Sequence, residues 1–367
     1  MKRSDMKYFL LLLLSASVVL HACKDDEDPD PADTVEHDST PYQLDIGSFP
    51  PPDLAADNPL TVQGVKLGRM LFYEKALSGD GTMSCATCHR QEDAFTDTAR
   101  LSIGIRGLEG KRQAMAVFNM AWNTNEFFWD GRAHLVRDQS LLPIQDELEM
   151  DETLENAITK LNASQEYRDQ FMRAFGSEDI TAEKMSLAME QFMNSIVSNR
   201  SKYDKVLAGE AQFTPAERRG RDLFFTEYNQ FFPDSSGADC AHCHGGFNFE
   251  NDRYMNNGLD EDADFTDLGR YEVTEVDRHK AAFKVTSLRN IELTPPYMHD
   301  GRFQTLEEVV DHYNSGLKPS STIDPALEMT RATGLFLDDR DKADLVAFLK
   351  TLTDEELQKD ERWSDPH

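Results

Sequence analysis

Four of the five cysteines form two pairs, each followed at once by a histidine: Cys85, Cys88 and His89 in "CATCH", and Cys240, Cys243 and His244 in "CAHCH". A four-cysteine zinc site draws its pairs from knuckles roughly 15–20 residues apart, whereas most of a domain separates these. Zinc does not need the adjoining histidine, but covalent haem attachment does. The two thiols add to the vinyl groups of one haem, and the neighbouring imidazole then reaches the iron. The spacing therefore predicts two haem c groups, with a zinc site or redox cysteines as the alternative. Cys23 stands alone, so no thiol is left for a disulfide.

Each motif needs an element to position it. Before the first, "VQGVKLGRMLFYEKALSGDGTMS" places Val62, Val65, Leu67, Met70 and Leu71 at roughly helical spacing ahead of a Gly-rich turn. Before the second, Thr214 can cap a helix whose first turn holds Pro215 and Glu217. "MSLAMEQFMNSIVS" and "KADLVAFLKTL" repeat apolar residues every three or four positions, and no long alternating run competes with them. The expected fold is mainly α, with two cytochrome c-like domains over residues 46–205 and 206–367, each carrying one covalent haem.

The amino terminus has a basic start, a short apolar run and the ending Leu-His-Ala-Cys, which read as an export signal over residues 1–22. The run is too short for a membrane span. Cys23 is then either the acylated first residue of a lipoprotein or a chance cysteine after an ordinary cleaved signal. Residues 23–45 are acidic, proline-rich and aperiodic, so they predict a disordered tether. Export leads to the periplasm or the outer-membrane surface, with membrane contact only through a lipid on Cys23. The 38 basic and 67 acidic residues argue against nucleic acid and against binding a bare anionic membrane. They favour a basic protein partner, or none.

The two motifs, with "FFWDGRAHLVRDQSLLPIQDELEM" and "LTPPYMHDGRFQTLEEVVDHYNSG", resemble the bacterial di-haem cytochrome c peroxidases, a family that includes the MauG-type enzymes. The similarity covers nearly the whole chain after the tether. It implies that hydrogen peroxide meets the N-terminal, His89 haem while the C-terminal haem stores or relays oxidising equivalents. Many members carry a second histidine ligand in a loop about sixteen residues after the first motif. Here that loop, "RLSIGIRGLEGKRQA", has none, and the next histidine is His134. Met115 and Met120 could substitute, but methionine at such positions is usually core, so the expectation is an iron open to peroxide. The resemblance makes Glu149 the catalytic proton carrier, Gln139 the amide beside it, and Trp129 the tryptophan between the haems. A carboxyl held near haem with little water suits the task, because its pKa rises toward neutrality. After Trp129, Asp130 and Arg132 suggest a turn held by an ion pair, with Arg132 also a candidate for a haem propionate.

At the second haem, cytochrome-fed members place methionine fourteen residues after the histidine of the "PYxHDG" motif. Here that histidine is His299, and the position holds Tyr313, as in MauG-type enzymes. Leu306, Val309, Val310 and Tyr313 share one helical stripe, so Tyr313 should point inward. A deprotonated tyrosine is a hard ligand that favours oxidised iron. Met298 and Met329 are alternative sulfur ligands, His299 is expected to support the haem indirectly, and His242, His279 and His312 read as incidental and solvent-exposed. The resemblance also implies a calcium ion held by the carbonyls of Thr294 and Pro296 and a side chain at Gln113, or at Asn119 if the register slips. The reducing partner is either a small basic electron-donor cytochrome or a partner protein substrate. The rival function is a di-haem electron-transfer cytochrome without peroxidase activity, which needs neither an open iron nor Glu149.

Overall fold

Thr61 opens the first long helix, α1 (Val62–Tyr73), its side chain accepting the Gly64 N–H. In the computed structural model, which describes residues 35–367, α1 packs against a later helix. The elements that frame the site are α1, α2 (Val136–Ser140), α3 (Ala182–Ser195), α4 (Pro215–Phe225), α5 (Leu306–Asp311) and α6 (Asp339–Lys350). The Thr214 cap is a full capping box: Thr214 N–H donates to Glu217 at 2.7 Å, and Glu217 N–H to Thr214 Oγ1 at 3.3 Å. The main sheet is a single antiparallel pair, β1 (Tyr254–Met255) against β2 (Phe283–Lys284), with Tyr254 opposite Lys284.

The same design occurs twice. In one half α1 crosses α3 at Gly68, where a Cβ would lie 1.9 Å from Ala188 O and 2.7 Å from Phe192 Cβ. In the other, α4 crosses α6 at Gly220, where a Cβ would lie 1.9 Å from Asp344 O and 2.8 Å from Phe348 Cβ. Only glycine lets either pair of backbones approach so closely. The halves also share a buried asparagine of positive φ, Asn119 (54°) and Asn290 (58°). Their N–H groups bond to Ile196 O at 2.8 Å and Leu352 O at 3.0 Å, just past the ends of α3 and α6.

Glu36–His367 form one unit with two main apolar cores, one built on Leu71, Phe72 and Phe192, the other on Phe224, Phe249 and Phe348. The fold is mainly α with two cytochrome c-like halves, as expected. Two segments depart from the simple division. The carboxyl-terminal tail returns to the first core, where Leu357 and Trp363 are buried, Trp363 Nε1 donates to Ser195 O at 3.1 Å and Tyr73 donates to Trp363 O at 2.8 Å. The expected tether ends early. Residues 36–45 are mostly exposed but anchored: Asp38 donates its N–H to Arg173 O at 2.9 Å, and Tyr42 lies on the first core and donates its N–H to Leu60 O at 3.0 Å, because its ring offers apolar area that the acidic run before it lacks. The expected signal peptide, Cys23 and the rest of the tether, up to residue 34, lie outside the described residues. Among the described residues, no helix is long and apolar enough to cross a membrane.

Candidate functional site

Cys85 and Cys88 form one helical turn, and Cys240 lies on a 3₁₀ turn with Cys243 at its end. All four are free thiols. His89 Nδ1 bonds to Phe95 O at 3.1 Å, while His244 Nδ1 lies 3.1 Å from Thr286 O and 3.3 Å from Phe249 O. Phe95 and Phe249 both have positive φ, 59° and 54°, and their carbonyls turn back to the imidazole. Anchoring Nδ1 to a carbonyl fixes the tautomer that leaves Nε2 free for iron. Burial holds both imidazoles below their ordinary range, His244 at about 4, so both are neutral and ready to ligate.

One cavity of about 670 Å³ is lined by both motifs. Its walls repeat as the helices do. Met189 and Met193, each one residue after an α1 contact, line it from α3; Leu345 and Leu349 do so from α6. Free thiol pairs, pre-oriented imidazoles and apolar walls fit two covalently held haems.

Glu149, Gln139, Trp129 and Tyr313 all line this cavity. The Glu149 backbone is fixed by Ile105 N–H, which donates to Glu149 O at 2.9 Å, and by its own N–H to Asp146 O at 3.0 Å. Its carboxyl takes no side-chain hydrogen bond among the described residues. Burial, then the charge of Asp146, raises it to about 7, with Arg132 opposing. The loop lacking a histidine packs beside it, with Arg106 paired to Asp151 and Glu147 on either side. Met115 and Met120 also line the cavity.

Trp129 sits at the junction of the halves. Its Nε1 donates to Gln113 O at 2.8 Å, and its carbonyl accepts Lys284 N–H at 2.8 Å from the other half. In the matching turn, His299 O accepts Gln113 N–H at 2.8 Å, so each half supplies a backbone N–H to the other's turn. The expected Asp130–Arg132 pair is present at 3.2 Å, but the tighter partner is Arg112 at 2.5 Å, which also grips Asp267 with two bonds of 2.7 and 2.8 Å. Arg132 stacks on Phe128, with its guanidinium carbon 3.5 Å from the ring centroid. Nothing local marked Arg112, since its partners lie 18 and 155 residues away.

Tyr313 lies in a π-helical turn (His312–Gly316) that continues α5, an arrangement that often marks functional positions. Val309, Val310 and Tyr313 line the cavity from this helix, whereas α2 and the residues after it present Gln139, Ser140 and Pro143. Counted from Trp129 and from His299, Pro143 occupies in the first half the place that Tyr313 holds in the second. Burial pushes the Tyr313 phenol up, opposed by a hydrogen bond with Asn257.

The other candidates fall as follows. Met298 lines the cavity, its sulfur 3.3 Å from Asn257 Nδ2, while Met329 is 57% exposed and does not. His299 is buried and stacked on Phe283, ring centroids 3.6 Å apart. His134 and His242 are exposed and His279 is half-buried. His312 corrects the expectation: it is buried, because its Nε2 finds Asn257 O at 3.0 Å. Thr294, Pro296 and Gln113 line the cavity, and Gln113 Nε2 is held by Thr96 Oγ1 and Asp97 O, each at 3.2 Å. Asn119 is committed elsewhere, to Ser198 and Asn248.

The di-haem cytochrome c peroxidase family matches over residues 62–212. The chain is 32% identical to the methylamine utilization protein MauG of Methylophilus methylotrophus, over 80% of this chain and 84% of that one. The chain belongs to this family. It is also 32% identical to the cytochrome c551 peroxidase of Nitrosomonas europaea, over 82% of this chain and 83% of that one. A crystal structure of a MauG-like protein associated with microbial copper homeostasis superposes with a TM-score of 0.80 at 35% identity, covering 89% of this chain and 99% of that one. As a di-haem cytochrome c peroxidase family member, the protein is a peroxide-reducing oxidoreductase carrying two haem c groups.

Proposed function

We propose that hydrogen peroxide is reduced in the first half of the cavity, beside His89, and that the second half, between His244 and Tyr313, holds oxidising equivalents for delivery to a partner. The observation that carries this is the asymmetry of the repeated helix: where the second half offers a phenol, the first offers Pro143, whose side chain has no donor atom and whose carbonyl accepts Met150 N–H. When bound, the haems supply an iron that accepts peroxide and a second redox centre that stores charge. Glu149, enclosed and free of hydrogen bonds from other side chains, moves a proton between the two peroxide oxygens. Gln139 orients peroxide from α2, and Trp129, held on both sides of the junction, carries an electron between the halves. A buried phenol ionises only if a cation sustains it, and ferric iron bound through His244 would do so for Tyr313.

The two haem domains divide near residues 205 and 206. Calcium binds at the Thr294 and Pro296 carbonyls, with Gln113 contributing Oε1 while its Nε2 stays hydrogen-bonded. The protein is exported to the periplasm or outer-membrane surface and anchored by lipid on Cys23. Its reducing partner, a small cytochrome or a protein substrate, is basic, complementing the net charge of −29.

Mixing the oxidised protein with one equivalent of peroxide tests the reading. The absorption of both haems should change, and much more slowly in Glu149→Gln. An unchanged native spectrum would make the protein an electron carrier.

A further inference from the structure

The cavity encloses a second carboxyl that the peroxide chemistry leaves unused. Glu250, six residues after His244, lines it. Its N–H bonds to Gly245 O at 3.0 Å, and its Oε1 accepts from Asn248 Nδ2 at 2.5 Å. The nearby cations are committed elsewhere. Lys284 pairs with Asp252 at 3.2 Å and donates to the carbonyls of Asn125 and Glu126. Arg289 grips Asp204 with bonds of 2.9 and 3.0 Å and also bonds to Phe247 O. Glu250 itself has no ion pair among the described residues. Burial, then the like charge of Asp252, raises it to about 7, with Asn248, Lys284 and Arg289 opposing. Asn248 Oδ1 in turn accepts from Asn119 Nδ2 at 3.0 Å, so the group ends a side-chain chain that crosses the junction of the halves.

An enclosed carboxyl without a counter-ion is poised to respond to any change of charge beside it. We propose that Glu250 is the proton-holding group of the second haem site: it releases its proton on oxidation of the His244-bound haem and takes one back on reduction. The charge balances, because one electron and one proton leave together and return together. Reduction of peroxide to two waters consumes two electrons and two protons, so an electron drawn from the second site is matched by a proton freed there. The inference rests on the reading of the second haem as a redox store.

Spectroelectrochemical titration of the holoprotein at a series of pH values tests it. The midpoint of the second haem should fall as pH rises through neutrality in the native protein and stay level in Glu250→Gln. Equal slopes in the two proteins would overturn the proposal. Independently of any variant, the redox-difference infrared spectrum of the native protein should show a carboxylic C=O band that appears on reduction of the second haem and shifts in D₂O. Its absence would also overturn the proposal. Both readouts are taken without peroxide, so a protein that failed to reduce peroxide would still decide the matter.

Discussion

Glu149 is a carboxyl whose environment outweighs its intrinsic acidity, and that fixes two pH effects. In the proposed role of proton acceptor it works ionised, so peroxide consumption should fall as pH drops through about 7. Glu149→Gln should lower the rate by about 10²–10⁴-fold, measured by stopped-flow mixing with peroxide. The linkage to stability has the opposite sense. Between its ordinary value of 4.5 and about 7 the group binds more protons folded than unfolded, so it lowers stability as pH rises through that window. Glu149→Gln should therefore melt no lower than the native protein above neutral pH, despite its lost activity. The sequence named Glu149 through a family pattern alone, since "DELEMDE" reads locally as a charge run. What singles it out in space is Ile105 and the loop packed on its backbone, partners some 40 residues away that no local spacing reveals.

Among the elements, the crossings at Gly68 and Gly220 hold each haem pocket in shape. An added methyl must push apart backbones that now leave it only 1.9 Å, at a cost of about 1–3 kcal/mol or more. Gly68→Ala should lower the melting temperature and perturb the absorption of the first haem only; Gly220→Ala should perturb only the second. The long helices were legible because caps and periodicity agree: α1 begins at Val62, α4 at Pro215 after the Thr214 cap, and α3 and α6 lie where their apolar stripes placed them. The stripe through Leu306, Val310 and Tyr313 was legible too. The π turn that sets the depth of Tyr313 was not, because a single inserted residue leaves the apolar spacing almost unchanged. The inward burial of His312 escaped for a related reason, since its partner Asn257 comes from 55 residues earlier.

Across the whole molecule, the two halves are joined through charges as well as backbone. Arg112 belongs to the first half yet binds Asp130 on the Trp129 turn and Asp267 in the second half, with its side chain only 12% exposed. Removing one member of a buried pair costs about 3–5 kcal/mol. Arg112→Gln should keep both haems, since it touches neither attachment motif. It should unfold at lower denaturant and slow electron exchange between the halves, read by rapid mixing with peroxide. The repeat that makes the halves comparable also makes their differences informative, with Pro143 against Tyr313 and Trp129 against His299.

The returning tail links the end of the chain to its beginning. Trp363, fifth from the end of the 367 residues, fills the core around α1 and α3. If the chain is exported from its amino terminus, as proposed, the first motif would emerge long before this tryptophan does. On that order of emergence the leading pocket would stay unsealed until Trp363 had arrived, its two thiols still within reach for haem attachment, whereas the trailing pocket would need only its own helices α4 and α6 to close.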